Sequence, residues 1–143
     1  AGLLTENQPF IVMPFIAGRT LRQVMDEQTK FPLNFCADVI ESFCEALETA
    51  HAAGILHRDI KPENIILTEQ SDRKIRVRLI DFGIARVMNS QVSPITEIER
   101  SIGTILYIAP EQLLGSPNQK PAADIYSCGI VVYEMLTGKL PFQ

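Results

Sequence analysis

Asn64 and Asp81 bracket two short apolar runs, residues 65–67 and 76–80, joined by the polar stretch Glu69-Gln70-Ser71-Asp72. Two such runs with a polar turn between them read as a β-hairpin. A hairpin returns the chain to its starting end, so Asn64, entering the first strand, and Asp81, leaving the second, meet at one end of it. The loop carrying Asp59 runs into that same end. An amide oxygen and a carboxylate are therefore brought to one end of the hairpin, beside Asp59. A single Asp or Asn at a strand end is ordinarily a turn or cap residue; the combination is what carries weight.

The rest of the chain supplies a mostly helical frame. Residues 9–13 hold the apolar run Phe10-Ile11-Val12-Met13 between Pro9 and Pro14 and predict a buried or half-buried strand. Thr20 is placed to cap a short helix through Met25. A longer helix is expected over 34–53, where Cys36, Val39, Ile40, Phe43, Leu47 and Ala50 recur at three-and-four spacing, with Gly54 ending it. Residues 84–108 lose periodicity and gather Ser90, Ser93, Pro94, Thr96 and Ser101, as a long surface loop does. Residues 124–136 are apolar almost all round and predict a helix buried mid-domain, with Asp124 as its cap.

At 143 residues and 46% hydrophobic content, the chain can form one core of ordinary size. Thirteen basic against seventeen acidic residues give a net charge of −4, which argues against wrapping nucleic acid or an anionic membrane. Cys36, Cys44 and Cys128 are odd in number and form no C-x-x-C pair, so neither a disulfide framework nor a zinc site is indicated. A reducing, cytoplasmic setting is expected, with no membrane contact by this segment; an anchor elsewhere in a longer protein is compatible with that.

His57-Arg58-Asp59-Ile60-Lys61-Pro62-Glu63-Asn64, then Asp81-Phe82-Gly83, then Ala109-Pro110-Glu111, stand in one order at workable spacing. In this combination the chain resembles the serine/threonine protein kinases, with phrasing similar to bacterial receptor-type members. The resemblance implies an α+β, protein-kinase-like fold: a mainly helical C-lobe with a short hairpin, and most of the N-lobe absent. Residues 1–18 would be the end of the N-lobe and the hinge, and 19–143 the C-lobe through the central buried helix. No glycine-rich phosphate loop and no lysine precede the hinge in these residues, the five lysines being Lys30, Lys61, Lys74, Lys120 and Lys139. The 143 residues by themselves are accordingly expected to transfer phosphate poorly and to expose apolar surface.

The implied activity is transfer of the γ-phosphate of ATP to protein Ser/Thr hydroxyls, with ATP and Mg2+ (or Mn2+) as cofactors. By resemblance, Asp59 orients the substrate hydroxyl, Lys61 neutralises charge on the moving phosphate, and Asn64 and Asp81 hold the metal. Thr104 would bridge Asp59 and Lys61. The hinge backbone at Met13, Pro14 and Ile16 would hold adenine above Ile66; Pro14 keeps the carbonyl that this needs. Arg58 beside the catalytic acid implies control by a phosphate, with Thr96 the leading site and Ser101 the second. His57 and Phe82 are packing residues of the switching motif, Gly83 gives it backbone freedom, and Asp124 would also anchor the catalytic-loop amides.

Plainer readings hold for other conspicuous residues. His51 has no second histidine or cysteine at metal spacing and is expected to be a partly exposed helical residue. Arg76 and Arg78 alternate with Val77 and Leu79, as on the solvent face of a strand. A competing reading is a kinase-like interaction module that transfers no phosphate; Asp59, Lys61, Asn64 and Asp81 argue against it. Substrates, upstream signal and oligomeric state are not legible.

Overall fold

A computed structural model describes residues 2–4, 8–10, 12–28, 30–69, 74–82, 104–115 and 120–142. Strands β1 (Gly2–Leu4) and β2 (Gln8–Phe10) form an antiparallel pair with Leu3 opposite Pro9. The strand expected over 9–13 is thus shifted toward the N-terminus. Its ladder closes at the Gly2–Phe10 pair, leaving Val12 and Met13 outside it and 78% and 49% exposed. An apolar run alone does not make a strand; it needs a paired edge, and none of the described residues provides one there.

Thr20 caps α1 (Leu21–Glu27) as expected, through a reciprocal box: Gln23 N donates to Thr20 Oγ1 at 3.2 Å, and Thr20 N donates to Gln23 Oε1 at 3.0 Å. Helix α2 (Leu33–Ala52) buries Cys36, Val39, Phe43, Leu47 and Ala50 along one stripe, with Ile40 at its margin. Gly54 then takes φ +73°, the left-handed conformation that lets the chain leave a helix without a Cβ clash. Each fully buried Phe or Leu on this stripe contributes roughly 1.5–3 kcal/mol.

That stripe packs on the hairpin of β4 (Ile65–Glu69) and β5 (Ile75–Leu79), which pair in register with Ile65 opposite Leu79 and Leu67 opposite Val77. Ile65, Leu67 and Val77 face the core, and Arg76 and Arg78 face solvent. Glu69 lies in β4 rather than in the turn, whose residues 70–73 are outside the described ones. Val77 N donates to Ser42 Oγ of α2 at 2.9 Å, so the helix satisfies an amide of the outer strand. On the other side, β3 (Arg19–Thr20) adds a third antiparallel strand, Thr20 opposite Ile66. Gly18 leads into it: a Cβ there would stand 2.5 Å from Leu67 O and 2.6 Å from Ile66 Cγ2, so only glycine admits so close an approach.

Two short segments complete the frame: a 3-10 turn over Thr104–Tyr107 and a one-turn helix α3 (Pro110–Leu113). The last helix, α4 (Pro121–Thr137), differs from its expected all-round burial. Ala123, Asp124, Ser127, Cys128, Ile130, Val131, Glu134 and Met135 are buried, but Ile125, Tyr133 and Leu136 are 55%, 45% and 48% exposed. Its described neighbours include α2 and the 104–107 turn, and Arg22 of α1 reaches Glu134. Asp124 is also not its N-cap: Lys120 holds that position, and the Asp124 carboxylate is spent on the loop beside it. No helix among the described residues is long and apolar enough to cross a membrane.

Candidate active site

The loop from Ile55 to Lys61 leaves α2 and crosses the open end of the hairpin. Arg58 sits there at φ +67°, and Asp81, just past β5, at φ +56°. Neither is glycine, and a non-glycine residue held in such a conformation costs on the order of 1–3 kcal/mol unless its surroundings enforce it. At Arg58 the enforcement is visible. Asp124 Oδ2 accepts from His57 N and Oδ1 from Arg58 N, both at 2.9 Å, so one buried carboxylate grips two consecutive amides. This is the amide anchor that the sequence implied for Asp124.

His57 is fully buried and makes two hydrogen bonds that define its tautomer. Asp59 N donates to Nδ1 at 3.3 Å, and the remaining ring nitrogen, Nε2, donates to Ile80 O at 2.9 Å. Burial lowers its pKa below the ordinary histidine value, against the opposing pull of the Ile80 carbonyl and the nearby Asp124, Asp59 and Asp81. A neutral, doubly bonded ring has no proton to trade. It is a fastener between the loop and the end of β5, with the Phe82 ring centroid 4.5 Å away and tilted 39° to it.

The catalytic-loop polar groups converge on Asp59. Lys61 Nζ is 3.0 Å from Asp59 Oδ2, and Asn64 Nδ2 donates to the same oxygen at 2.9 Å and to the Asp59 carbonyl at 2.8 Å. Asn64 is buried in the 3-10 turn Pro62–Asn64 that opens β4. Its nitrogen is committed to Asp59, which leaves Oδ1 as the atom able to face a cation. Ile80 N donates to Asn64 O at 3.0 Å, which sets the exposed Asp81, one residue on, beside Asn64 as the hairpin argument requires.

An amide oxygen and an exposed carboxylate, with a lysine one step away, fit a divalent cation that draws its other ligands from phosphate and water. Among the described residues, no group of three or more His, Cys, Asp and Glu side chains could enclose a metal by itself. The donor set suits a metal that arrives with its nucleotide.

The remaining expected site residues are placed unequally. Met13 and Pro14 are exposed, Ile16 half-buried, and Ile66 half-buried against Gly18. Thr104 has its backbone in the 104–107 turn, while its side chain, like Gly83, Thr96 and Ser101, lies outside the described residues.

Two features go beyond what the sequence disclosed. His51 is the partly exposed helical residue expected, and in addition its Nε2 lies 2.8 Å from Asp124 Oδ2, with the side chain 14% exposed. A histidine in the last turn of a helix carries no signal of a partner 73 residues away. The second is a cluster around Glu134. Arg22 donates to its Oε1 and Oε2 at 3.1 and 3.3 Å, to Tyr107 Oη at 2.7 Å, and to Glu63 at 3.1 Å, while Tyr107 donates to Glu134 Oε2 at 2.5 Å. It ties α1, the catalytic-loop turn, the 104–107 turn and α4 together. Burial and the Glu134 carboxylate raise the Tyr107 pKa. For Arg22, burial pulls the other way, and its bonds to Glu134 and Glu63 outweigh it, so the pKa is raised.

Comparison with known proteins agrees with this geometry. Residues 3–143 match the protein kinase domain family, and the chain belongs to that family. It is 44% identical over 135 residues to a probable serine/threonine-protein kinase PknB of Corynebacterium glutamicum, an alignment covering 94% of this chain and 20% of that protein. Serine/threonine-protein kinase PknA of Mycobacterium tuberculosis H37Rv is 41% identical over 133 residues, 93% of this chain and 29% of that protein. A probable serine/threonine-protein kinase PknB of Bifidobacterium longum is 39% identical over 137 residues, 96% and 19%. The chain thus spans 19% to 29% of the length of these relatives.

Proposed function

We propose that this chain is the hinge-to-α4 part of a protein that transfers the γ-phosphate of ATP to serine and threonine hydroxyls of other proteins. The observation that carries this reading is the convergence of Lys61 and Asn64 on Asp59, with Asp81 set beside Asn64. In this reading Asp59 accepts a hydrogen bond from the substrate hydroxyl and orients its oxygen toward the phosphorus. Asn64 Nδ2 and Lys61 Nζ fix the carboxylate for that task, and the lysine charge favours negative charge building on the transferred group. Asn64 Oδ1 and Asp81 would hold magnesium, which would offset the charge of the phosphates of ATP, the phosphoryl donor. The backbone of Met13, Pro14 and Ile16 would take adenine over Ile66, and Thr104 would bridge Asp59 and Lys61. Lys61 two residues past Asp59 and the names of the relatives both favour serine/threonine over tyrosine acceptors.

Asp59→Asn in the full-length protein tests the reading. Transfer to a protein substrate should fall by about a thousandfold, within the range for loss of a positioned acid or base, while ATP affinity stays within about twofold. Turnover near that of the wild type would remove Asp59 from the mechanism. Asp81→Ala should instead weaken magnesium-dependent ATP binding together with turnover, and an unaltered magnesium dependence would remove Asp81 from the metal site.

A further inference from the structure

We propose that Gln112 is a positioning residue for Asp59, its side-chain amide holding the carbonyl end of the peptide unit that joins Arg58 to Asp59. The inference rests on Asp59 orienting the acceptor hydroxyl in the proposed transfer. Gln112 Nε2 donates to Arg58 O at 3.3 Å, and Ala109 N donates to Gln112 Oε1 at 3.2 Å. A backbone N–H only donates and a carbonyl only accepts, so the two ends of the side-chain amide cannot be exchanged. Gln112 is buried and Ala109 fully so, and water competes little for either bond.

A peptide unit is planar, so Arg58 O and Asp59 N turn together. Gln112 holds the oxygen edge of this plane, and at the opposite edge Asp59 N donates to His57 Nδ1 at 3.3 Å. The two restraints differ in kind. His57 lies two residues back in the same loop and moves with it, whereas Gln112 belongs to α3, 54 residues on, and is fastened there through Ala109. Asp124 grips the amide of Arg58, which fixes that residue on its N-terminal side. Arg58 stands at φ +67°, and the bond from Gln112 to its carbonyl restrains it on the other side, where Asp59 begins. A shift of Asp59 by a fraction of an ångström lowers turnover without touching the hinge backbone that would take adenine.

Two substitutions in the full-length protein separate this role from plain capping of α3. Gln112→Met keeps the length of the side chain and removes both polar ends; Gln112→Glu keeps an acceptor for Ala109 N and removes the donor to Arg58 O. Each should lower kcat about tenfold, with KM for ATP within about twofold. Hydrogen exchange at the Asp59 amide should quicken in both variants, whereas exchange at the Ala109 amide should quicken in Met alone. A Glu variant with wild-type kcat and wild-type Asp59 exchange would reduce Gln112 to a cap and overturn the assignment, as would a Met variant unchanged in both. Lowered kcat without faster Asp59 exchange would place the effect elsewhere and overturn it too. Exchange requires no turnover. If the protein transferred no phosphate at all, unchanged Asp59 exchange in both variants would still refute the role of Gln112, and faster Asp59 exchange in both, with Ala109 protected in Glu, would support it.

Discussion

Helix α4 carries a buried carboxylate near each end, and the two are used differently. Asp124, in the first turn, accepts from backbone amides of a single loop and from one histidine. Glu134, in the last turn, accepts from side chains, Arg22 and Tyr107, that come from two other elements. The first arrangement fixes a backbone conformation, Arg58 at φ +67°, which the chain would not hold unaided. The second fixes no unusual backbone; it fastens elements whose own structure is already regular. Losing Asp124 should therefore disturb chemistry and stability together, and losing Glu134 should mainly disturb stability.

The sharpest test of that contrast is Asp124→Ala. Two buried amides would lose their acceptor, at a cost of about 3 kcal/mol, and the left-handed turn before Asp59 would lose its restraint. Urea denaturation should show the loss, and amide exchange at Arg58 should rise toward that of an unprotected loop. A variant with the same midpoint and a protected Arg58 amide would show that the turn is held by other contacts.

Glu134→Ala should cost less, about 2 kcal/mol, although it removes the partner of a cation. The Arg22 side chain is 26% exposed and keeps Glu63 and Asp26 within reach, so water and those carboxylates take up part of its charge. Arg58 amide exchange should stay at the wild-type rate. If it rose as it does in Asp124→Ala, the two ends of α4 would be one cooperative unit and the distinction would fail. Tyr107→Phe is milder still, about 1 kcal/mol in the same denaturation measurement, because it deletes one hydroxyl from a cluster whose Arg22–Glu134 bonds survive.

The same contrast explains what the sequence disclosed. The Asp59, Lys61, Asn64 and Asp81 grouping was legible because short-range chemistry sets it: a tight turn, a hairpin and alternating burial leave few other outcomes. The amide-anchoring role of Asp124 came from resemblance, and its expected role as helix cap was wrong because the helix begins three residues earlier, at Pro121. His51 and the Arg22, Tyr107 and Glu134 cluster were not legible. Their partners are 73, 85 and 112 residues apart in sequence, and nothing in the local pattern of a helix names a distant acceptor. The strand expected over 9–13 is shifted to Gln8–Phe10 for the same reason: pairing is a property of two segments, and one apolar run carries only half of it.

The smallest effect, and the one that separates the two ends by pH, comes from their titrating groups. At the Asp124 end, burial holds the folded pKa of His57 below its ordinary 6.5. As pH falls below 6.5 the unfolded chain takes up a proton that the folded chain refuses, so stability declines on the acid side and levels off beneath the folded value. At the Glu134 end, burial and the carboxylate hold the folded pKa of Tyr107 above its ordinary 10.0. Here the contribution is fully present below pH 10.0 and is lost as pH rises past it, because the unfolded phenol ionises first. The sequence has only two histidines, so in a His51→Gln background His57 is the sole imidazole left. Stability measured against pH in that background should still fall below pH 6.5, and adding Tyr107→Phe should flatten only the alkaline limb. An acid limb abolished by His51→Gln would assign the titration to His51 and remove His57 as its source; an alkaline limb unchanged by Tyr107→Phe would do the same for Tyr107.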